Sequence, residues 1–279
     1  MNEEKGKYDS RNKLNDLTGK EWLKLTKSFW LSEKCKEDKI AMKHPAPFML
    51  KDITKLISMY TKKEMNVLDP FLGSGTTIAA AVLSGRKGYG IDLNPNYIEL
   101  CEERFASLKL EKKMYEMVLG DSIEKINEYD DEFFDYIVTS PPYHNILKNK
   151  SAGIRSDNSS KGYRNGARQG IEYYSDNECD LGNQKTFDDF INLLSKVMSG
   201  CYRKLKTGKY CTIVISDFTV EKKEICVQGH IVSMMEQLGF EFVGTTILLQ
   251  DNKPLYPFGY PFAYKINHHH QNLISFRKK

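Results

Sequence analysis

From about residue 51 onward, short apolar runs alternate with stretches whose apolar residues recur every three or four positions. The runs MNVLD (65–69), GYGID (88–92), YEMVLG (115–120) and DYIVTS (135–140) have the length and composition of buried strands. Helical spacing fills 75–84 and 96–108 between them and returns at 187–205 and 228–238. KYCTIVIS (209–216), FEFVGTTILL (240–249) and NLISFRK (272–278) complete the strand set. Alternation of this kind predicts an α/β fold, a mostly parallel sheet with helices on both faces. The last two strands have no helix between them and are expected to form an antiparallel pair at one edge. Upstream, GKEWLKLTKSFWLSE (19–33) places Trp22, Leu25, Phe29 and Trp30 near helical spacing. The spacing predicts a helix packing its aromatics on the domain; exposed rings and lysines contacting nucleic acid are the alternative. The expected division is an N-terminal arm and helix over 1–40 and a single catalytic domain over 41–279.

The pattern breaks at 144–185, which is rich in Gly, Ser, Asn, Tyr and Arg and has no sustained periodicity. Its first part, 144–170, carries Lys148, Lys150, Arg155, Lys161, Arg164 and Arg168 against one acid, Asp157. Basic charge interleaved with Gly, Ser and Asn suits a segment that orders on a phosphate backbone, so these six are candidate nucleic-acid contacts. The whole chain of 279 residues carries a net charge of only +4. It shows no apolar run of bilayer length and no signal peptide, so a cytoplasmic protein without membrane contact is expected. The six cysteines form no CxxC pair and read as reduced thiols. His268, His269 and His270 are adjacent in an extended segment and point to alternate faces, so no metal site is expected there.

NVLDPFLGSGTTIAAAVLSG (66–85) reads as strand, glycine-bearing turn and helix. Gly73 and Gly75 would let the backbone pass close to a ligand at a helix N-terminus. A P-loop needs Lys-Ser/Thr where this chain has Thr76-Thr77, and a dinucleotide turn needs a third glycine where it has Ile78. S-adenosylmethionine has no phosphate and suits the turn better. An acid at the end of the first strand, Asp69, could receive its ammonium. Asp92, ending the next strand, could take the ribose hydroxyls, and Asp121 the adenine amine, although Asp121 could instead cap a short helix. Three successive strands thus end in an acid at the carboxyl edge where an open α/β sheet binds its ligand.

LDPFLGSGTT (68–77), GIDLNPNYIE (90–99), GDS (120–122) and TSPPY (139–143) together make the chain resemble the S-adenosylmethionine-dependent DNA amino-methyltransferases, which act on cytosine N4 or adenine N6. KHPAPFML (43–50) resembles the segment that closes over the methionine end of the cofactor. The resemblance implies a Rossmann-like seven-stranded sheet with an antiparallel final pair. It implies a cofactor site drawn from His44, Pro45, Asp69, Pro70, Phe71, Gly73, Ser74, Gly75, Thr76, Asp92, Leu93, Asp121 and Ser122. It also implies a base slot at Ser140, Pro141, Pro142 and Tyr143. There the Ser140 hydroxyl and the Pro141 carbonyl would accept hydrogen bonds from an exocyclic amine while Tyr143 stacks on a flipped base. Serine at the first position favours cytosine N4; adenine N6, or a base in RNA, remains an alternative. Duplex DNA is the expected partner. A cognate restriction endonuclease, and monomer against homodimer, stay open.

Overall fold

The computed structural model describes residues 6–144, 177, 180–220 and 223–279. In chain order the strands are β1 (Phe29–Leu31), β2 (Asn66–Asp69), β3 (Lys87–Asp92), β4 (Tyr115–Leu119), β5 (Phe134–Thr139), β6 (Leu205–Ile215), β7 (Phe218–Val220), β8 (Lys223–Ile225), β9 (Phe240–Leu249) and β10 (His270–Lys278). The helices are α1 (Gly19–Leu25), α2 (Leu50–Tyr60), α3 (Thr76–Leu83), α4 (Pro95–Ser107), α5 (Ser122–Lys125), α6 (Phe187–Lys204) and α7 (Val227–Gln237).

Eight strands form one sheet in the order β1-β9-β10-β6-β5-β2-β3-β4, and β7 with β8 makes a separate antiparallel ribbon. The neighbours from β6 to β4 are all parallel. β10 alone is reversed, lying antiparallel between β9 and β6. This is the expected Rossmann-like methyltransferase architecture with one strand more than the seven expected. Side chains alternate between two cores. Cys211, Ile213 and Ile215 of β6 face α6 and α7, whereas Val214 faces the layer of α2, α3 and α4. Chain order reverses between β2 and β5, and such a switch point opens a crevice beyond the carboxyl ends of the strands.

The extra strand corrects the reading of residues 19–33. A capping box between Thr18 and Glu21 starts α1, and the helix stops at Leu25. Phe29–Leu31 then runs extended and pairs in parallel with Ile247–Leu249. Trp30 is buried while Phe29 and Leu31 are exposed, the period of two that a strand imposes. Trp22, Leu25 and Phe29 imitate a helical period by chance, and three residues are too few to show the strand period against it. The sequence reading also omitted α2, although Leu50, Ile53, Leu56 and Ile57 fall on one buried face at helical spacing.

The two readings of this segment differ in what a substitution should do. Trp30 packs among the α2 side chains and donates its indole N–H to the Leu25 carbonyl at 3.1 Å. Trp30→Ala is therefore expected to lower stability by about 3–5 kcal/mol in urea unfolding. Phe29→Ala, on the open face of the same strand, should cost well under half as much; equal losses would contradict the strand.

Candidate active site

The carboxyl ends of β2, β3, β5 and β6 open into a cleft of about 1010 Å³. His44, Pro45, Pro70, Phe71, Gly73, Asp92, Leu93, Asp121 and Ser122 line it, together with Ser140, Pro141, Pro142 and Tyr143. The structure thus brings most of the sequence-derived candidates to one cavity. Asp69, Ser74, Gly75 and Thr76 lie behind its wall. Lys148, Lys150, Arg155, Lys161, Arg164 and Arg168 fall outside the described residues.

Asp69 has a different task from the one expected of it. Its side chain is only 1% exposed. One carboxylate oxygen accepts the Thr139 hydroxyl at 2.6 Å and the Phe71 N–H at 3.1 Å, and the other accepts the Thr77 hydroxyl at 2.7 Å. Being sealed and saturated, it does not face a ligand's ammonium. Burial pushes its carboxyl up to about 7, against the hydrogen bonds, which lower it.

The two glycines of the turn also divide their roles. Both have positive φ, +51° at Gly73 and +74° at Gly75. A Cβ at Gly73 would stand 3.2 Å from His44 Nε2, at the cleft wall. A Cβ at Gly75 would meet Cys101 Sγ and Phe105 Cζ at 2.7 Å, so this glycine serves the close approach of α4. From α4, Arg104 Nη1 donates to the Ser74 carbonyl at 2.9 Å and to Thr76 Oγ1 at 2.7 Å. Thr76 donates in turn to the Phe48 carbonyl at 3.2 Å. Ser74 and Thr76 therefore brace the turn from behind.

Asp92 sits at the cleft floor, 9% exposed, and accepts the N–H groups of Gly73 at 2.7 Å and Asn94 at 2.9 Å. Burial is the main cause holding its carboxyl up at about 6. Asp121 both caps α5, accepting the Ile123 N–H at 2.8 Å, and lines the cleft. Ser122 Oγ donates to the Pro70 carbonyl at 2.5 Å, fixing the turn after β2 against α5. His44 is buried, with its ring 4.4 Å from that of Tyr97, and desolvation lowers its imidazole to about 4. It is neutral at physiological pH.

At the end of β5, Ser140 is half-buried and its hydroxyl makes no hydrogen bond with a described residue. Tyr143 is held firmly. Its hydroxyl accepts from the Ser216 N–H at 3.1 Å and from Gln271 Nε2 at 3.0 Å, and its ring stacks on Phe218 at 5.7 Å and 21°. Sequence reasoning missed Gln271, Phe218, Tyr97 and Arg104. Phe218 opens β7 shortly after β6 ends and Tyr97 lies in the first turn of α4 after β3, positions that could have flagged them; Gln271 and Arg104 carried no such signal.

The donor set fits S-adenosylmethionine. Among the described residues Asp92, Asp121 and Asp180 line the cleft around the glycine turn; Lys34, Lys253 and Lys265 also line the cleft, with Asp217 and Glu224, and no arginine does. A phosphate-bearing cofactor would meet carboxylates there, whereas a cationic, phosphate-free one with a ribose and an adenine meets acceptors.

A family profile described as DNA methylase matches residues 1–103 and 134–279. The Type II methyltransferase M.MthZI of Methanothermobacter thermautotrophicus is 40% identical over 81 residues, 29% of this chain and 23% of that protein. The tRNA (guanine(10)-N2)-dimethyltransferase of Pyrococcus abyssi is 32% identical over 94 residues, 33% of this chain and 27% of that protein. The matched part thus spans about a quarter of either relative's length. Among solved structures, TrmN from Thermus thermophilus superposes with a TM-score of 0.52 at 14% identity, over 88% of this chain and 52% of that one. That likeness is one of fold.

Asp69 supplies a pH test. Its carboxyl at about 7 lies above the ordinary 3.8, so the folded chain keeps a proton that the unfolded chain releases. Stability from this group is full in acid and is lost as pH rises through about 7. Asp69→Asn removes the titration. Between pH 6 and 7.5 the parent should lose on the order of 1 kcal/mol more stability than the variant in urea titrations. Parallel curves would refute the assignment.

Proposed function

We propose that this chain, which belongs to the N6/N4 DNA methylase family, transfers the methyl group of S-adenosylmethionine to the exocyclic amine of a base flipped from duplex DNA, with cytosine N4 as acceptor. The observation that carries the reading is the Ser140 hydroxyl, which has no hydrogen-bond partner among the described residues and lines the same cleft as Asp92 and Gly73.

The expected cofactor supplies an electrophilic methyl group on a sulfonium. In the proposed arrangement Asp92 accepts from ribose hydroxyls, Asp121 and Ser122 border the adenine, and Gly73 with His44 borders the methionine end. The chemical difficulty lies with the acceptor, because the lone pair of a base amine is delocalised into its ring. Ser140 Oγ and the Pro141 carbonyl would accept hydrogen bonds from the amine, which draws the nitrogen toward tetrahedral geometry and localises the lone pair. Once the N–C bond replaces the sulfonium C–S bond, the thioether departs and the amine's surplus proton passes to water. Two consecutive prolines fix the backbone here, so the acceptors need no reorganisation when charge develops. Tyr143, anchored by Ser216 and Gln271, presents a rigid aromatic wall to the base. A base within a duplex cannot reach so recessed a slot, so flipping is required, at a cost of a few kcal/mol in unstacking. Serine rather than a carboxylate at position 140 supports cytosine.

A second reading draws on the similarity to a tRNA dimethyltransferase. The acceptor in that enzyme's name, guanine N2, is also an exocyclic amine, so the same slot chemistry could serve RNA.

Nucleoside mass spectrometry after incubation with labelled cofactor separates these readings. Labelled N4-methylcytosine from duplex DNA is the expected result. N6-methyladenine would replace the base and keep the slot, label in RNA alone would favour the second reading, and no label in either would end the proposal. Ser140→Ala should lower kcat by about 10²–10³ while calorimetry finds cofactor affinity within about threefold of the parent. An equal loss of both would remove Ser140 from the chemistry.

A further inference from the structure

The chain between β9 and β10 forms one wall of the cleft and then projects beyond it. Its neck is closed by the Gln250 N–H donating to the His269 carbonyl at 2.7 Å. Gln250 Nε2 also donates to Gln271 Oε1 at 3.1 Å, and Gln271 is the residue that anchors Tyr143. Further out, Asn267 pairs twice with the backbone of Tyr256, at 3.0 and 2.8 Å. Pro254, Tyr256, Phe258 and Asn267 line the cleft.

Past this clamp the loop turns tightly. The N–H groups of Phe262 and Ala263 both donate to the Gly259 carbonyl, at 2.8 and 2.7 Å. A side chain at Gly259, φ +78°, would meet the Ala263 carbonyl at 2.3 Å, so only glycine fits. The built turn holds three rings in solvent: Phe262 is 95% exposed, Tyr264 90% and Tyr260 73%. Lys253 and Lys265 flank them against one acid, Asp251.

Resting on the proposed DNA reaction, we propose that Tyr260, Phe262 and Tyr264 form a stacking surface for the bases that flank the target in duplex DNA. A target base belongs to a polymer, so when it occupies the slot its neighbours must lie at the cleft mouth. Removing it from the helix strips those neighbours of a stacking partner. Aromatic rings replace that partner without regard to sequence, since every base has a π-face. Apolar side chains pushed between base steps serve the same purpose where proteins deform DNA. Flanking lysines suit the phosphates on either side. The neck's bond to Gln271 places the stacking surface on the same framework as Tyr143.

The test uses the full chain and fluorescein-labelled, unmethylated duplex DNA made by amplification. The triple variant Tyr260→Ala, Phe262→Ala, Tyr264→Ala should bind this DNA about tenfold or more weakly. Its slope of log affinity against log salt should be unchanged, because the rings carry no charge. Cofactor binding by calorimetry should match the parent, which verifies the fold. In a separate variant, the indole introduced by Phe262→Trp should be quenched on adding DNA. Affinity within about twofold of the parent, a reduced salt slope, or an unquenched indole each overturns the stacking role. A parent that methylates DNA with an unaffected triple variant sinks this inference alone. A parent that binds DNA but transfers no methyl group sinks the proposed reaction alone.

Discussion

Everything at the active edge of the sheet hangs on one buried carboxylate. Asp69 ends the strand beside the switch point and holds Thr139 of β5, Thr77 of α3 and the backbone of Phe71 at once. Thr139 immediately precedes Ser140, and Phe71 and Thr77 flank the glycine turn. The same group therefore sets the distance between the place proposed for the cofactor and the place proposed for the base. Methyl transfer depends on alignment more than on acid–base strength, and displacements of an ångström are expensive. Burying a carboxylate without a cation raises its pKa, and that cost is accepted where three hydrogen bonds define one geometry.

A second buried charge secures the other side. Arg104 and Asp38 lie 3.6 Å apart, both fully buried. Arg104 grips the turn through Ser74 and Thr76, and Asp38 accepts the N–H groups of Leu50 and Cys35 at 2.9 Å each. The segment carrying His44 and Pro45 is thereby tied to the glycine turn it faces. Such a pair contributes little net stability, because desolvation offsets the attraction, but losing one partner strands the other. Its value lies in fixing which two pieces of chain meet.

The sheet from β2 to β9 was legible because its strands are apolar runs and most are separated by helices with clear periodicity. FEFVGTTILL was read to its exact bounds as β9. The strand-end acids were legible as a series, since position at the carboxyl edge can be inferred from order alone. What each acid does was not. Asp69 and Asp92 look equivalent in sequence, yet one is sealed by hydroxyls from two other elements and the other opens on the cleft. That difference comes from residues 8 and 70 positions away. Gln271 and Arg104 were invisible for the same reason: their partners are remote in the chain, and neither residue type announces a site. β1 was hidden because aromatic spacing over a short run obeys two periods at once.

The cleft divides into parts of different physical character. Its floor is made of strand ends and the turns they launch, held by buried hydrogen bonds, and in the proposed reaction it would meet what every turnover shares: a base amine and the cofactor's ribose and adenine. Among the described residues its rim is the loop between β9 and β10, where side chains meet water. On that proposal a floor so constrained would not distinguish one DNA sequence from another, because its groups would see only the flipped base and the cofactor. Under the proposed reaction, any discrimination among sequences would fall to the rim. Rim elements can vary without disturbing the Asp69 node, since none of the hydrogen bonds to that carboxylate comes from them. The architecture would thus separate the proposed reaction, which tolerates no displacement, from a surface that is free to change.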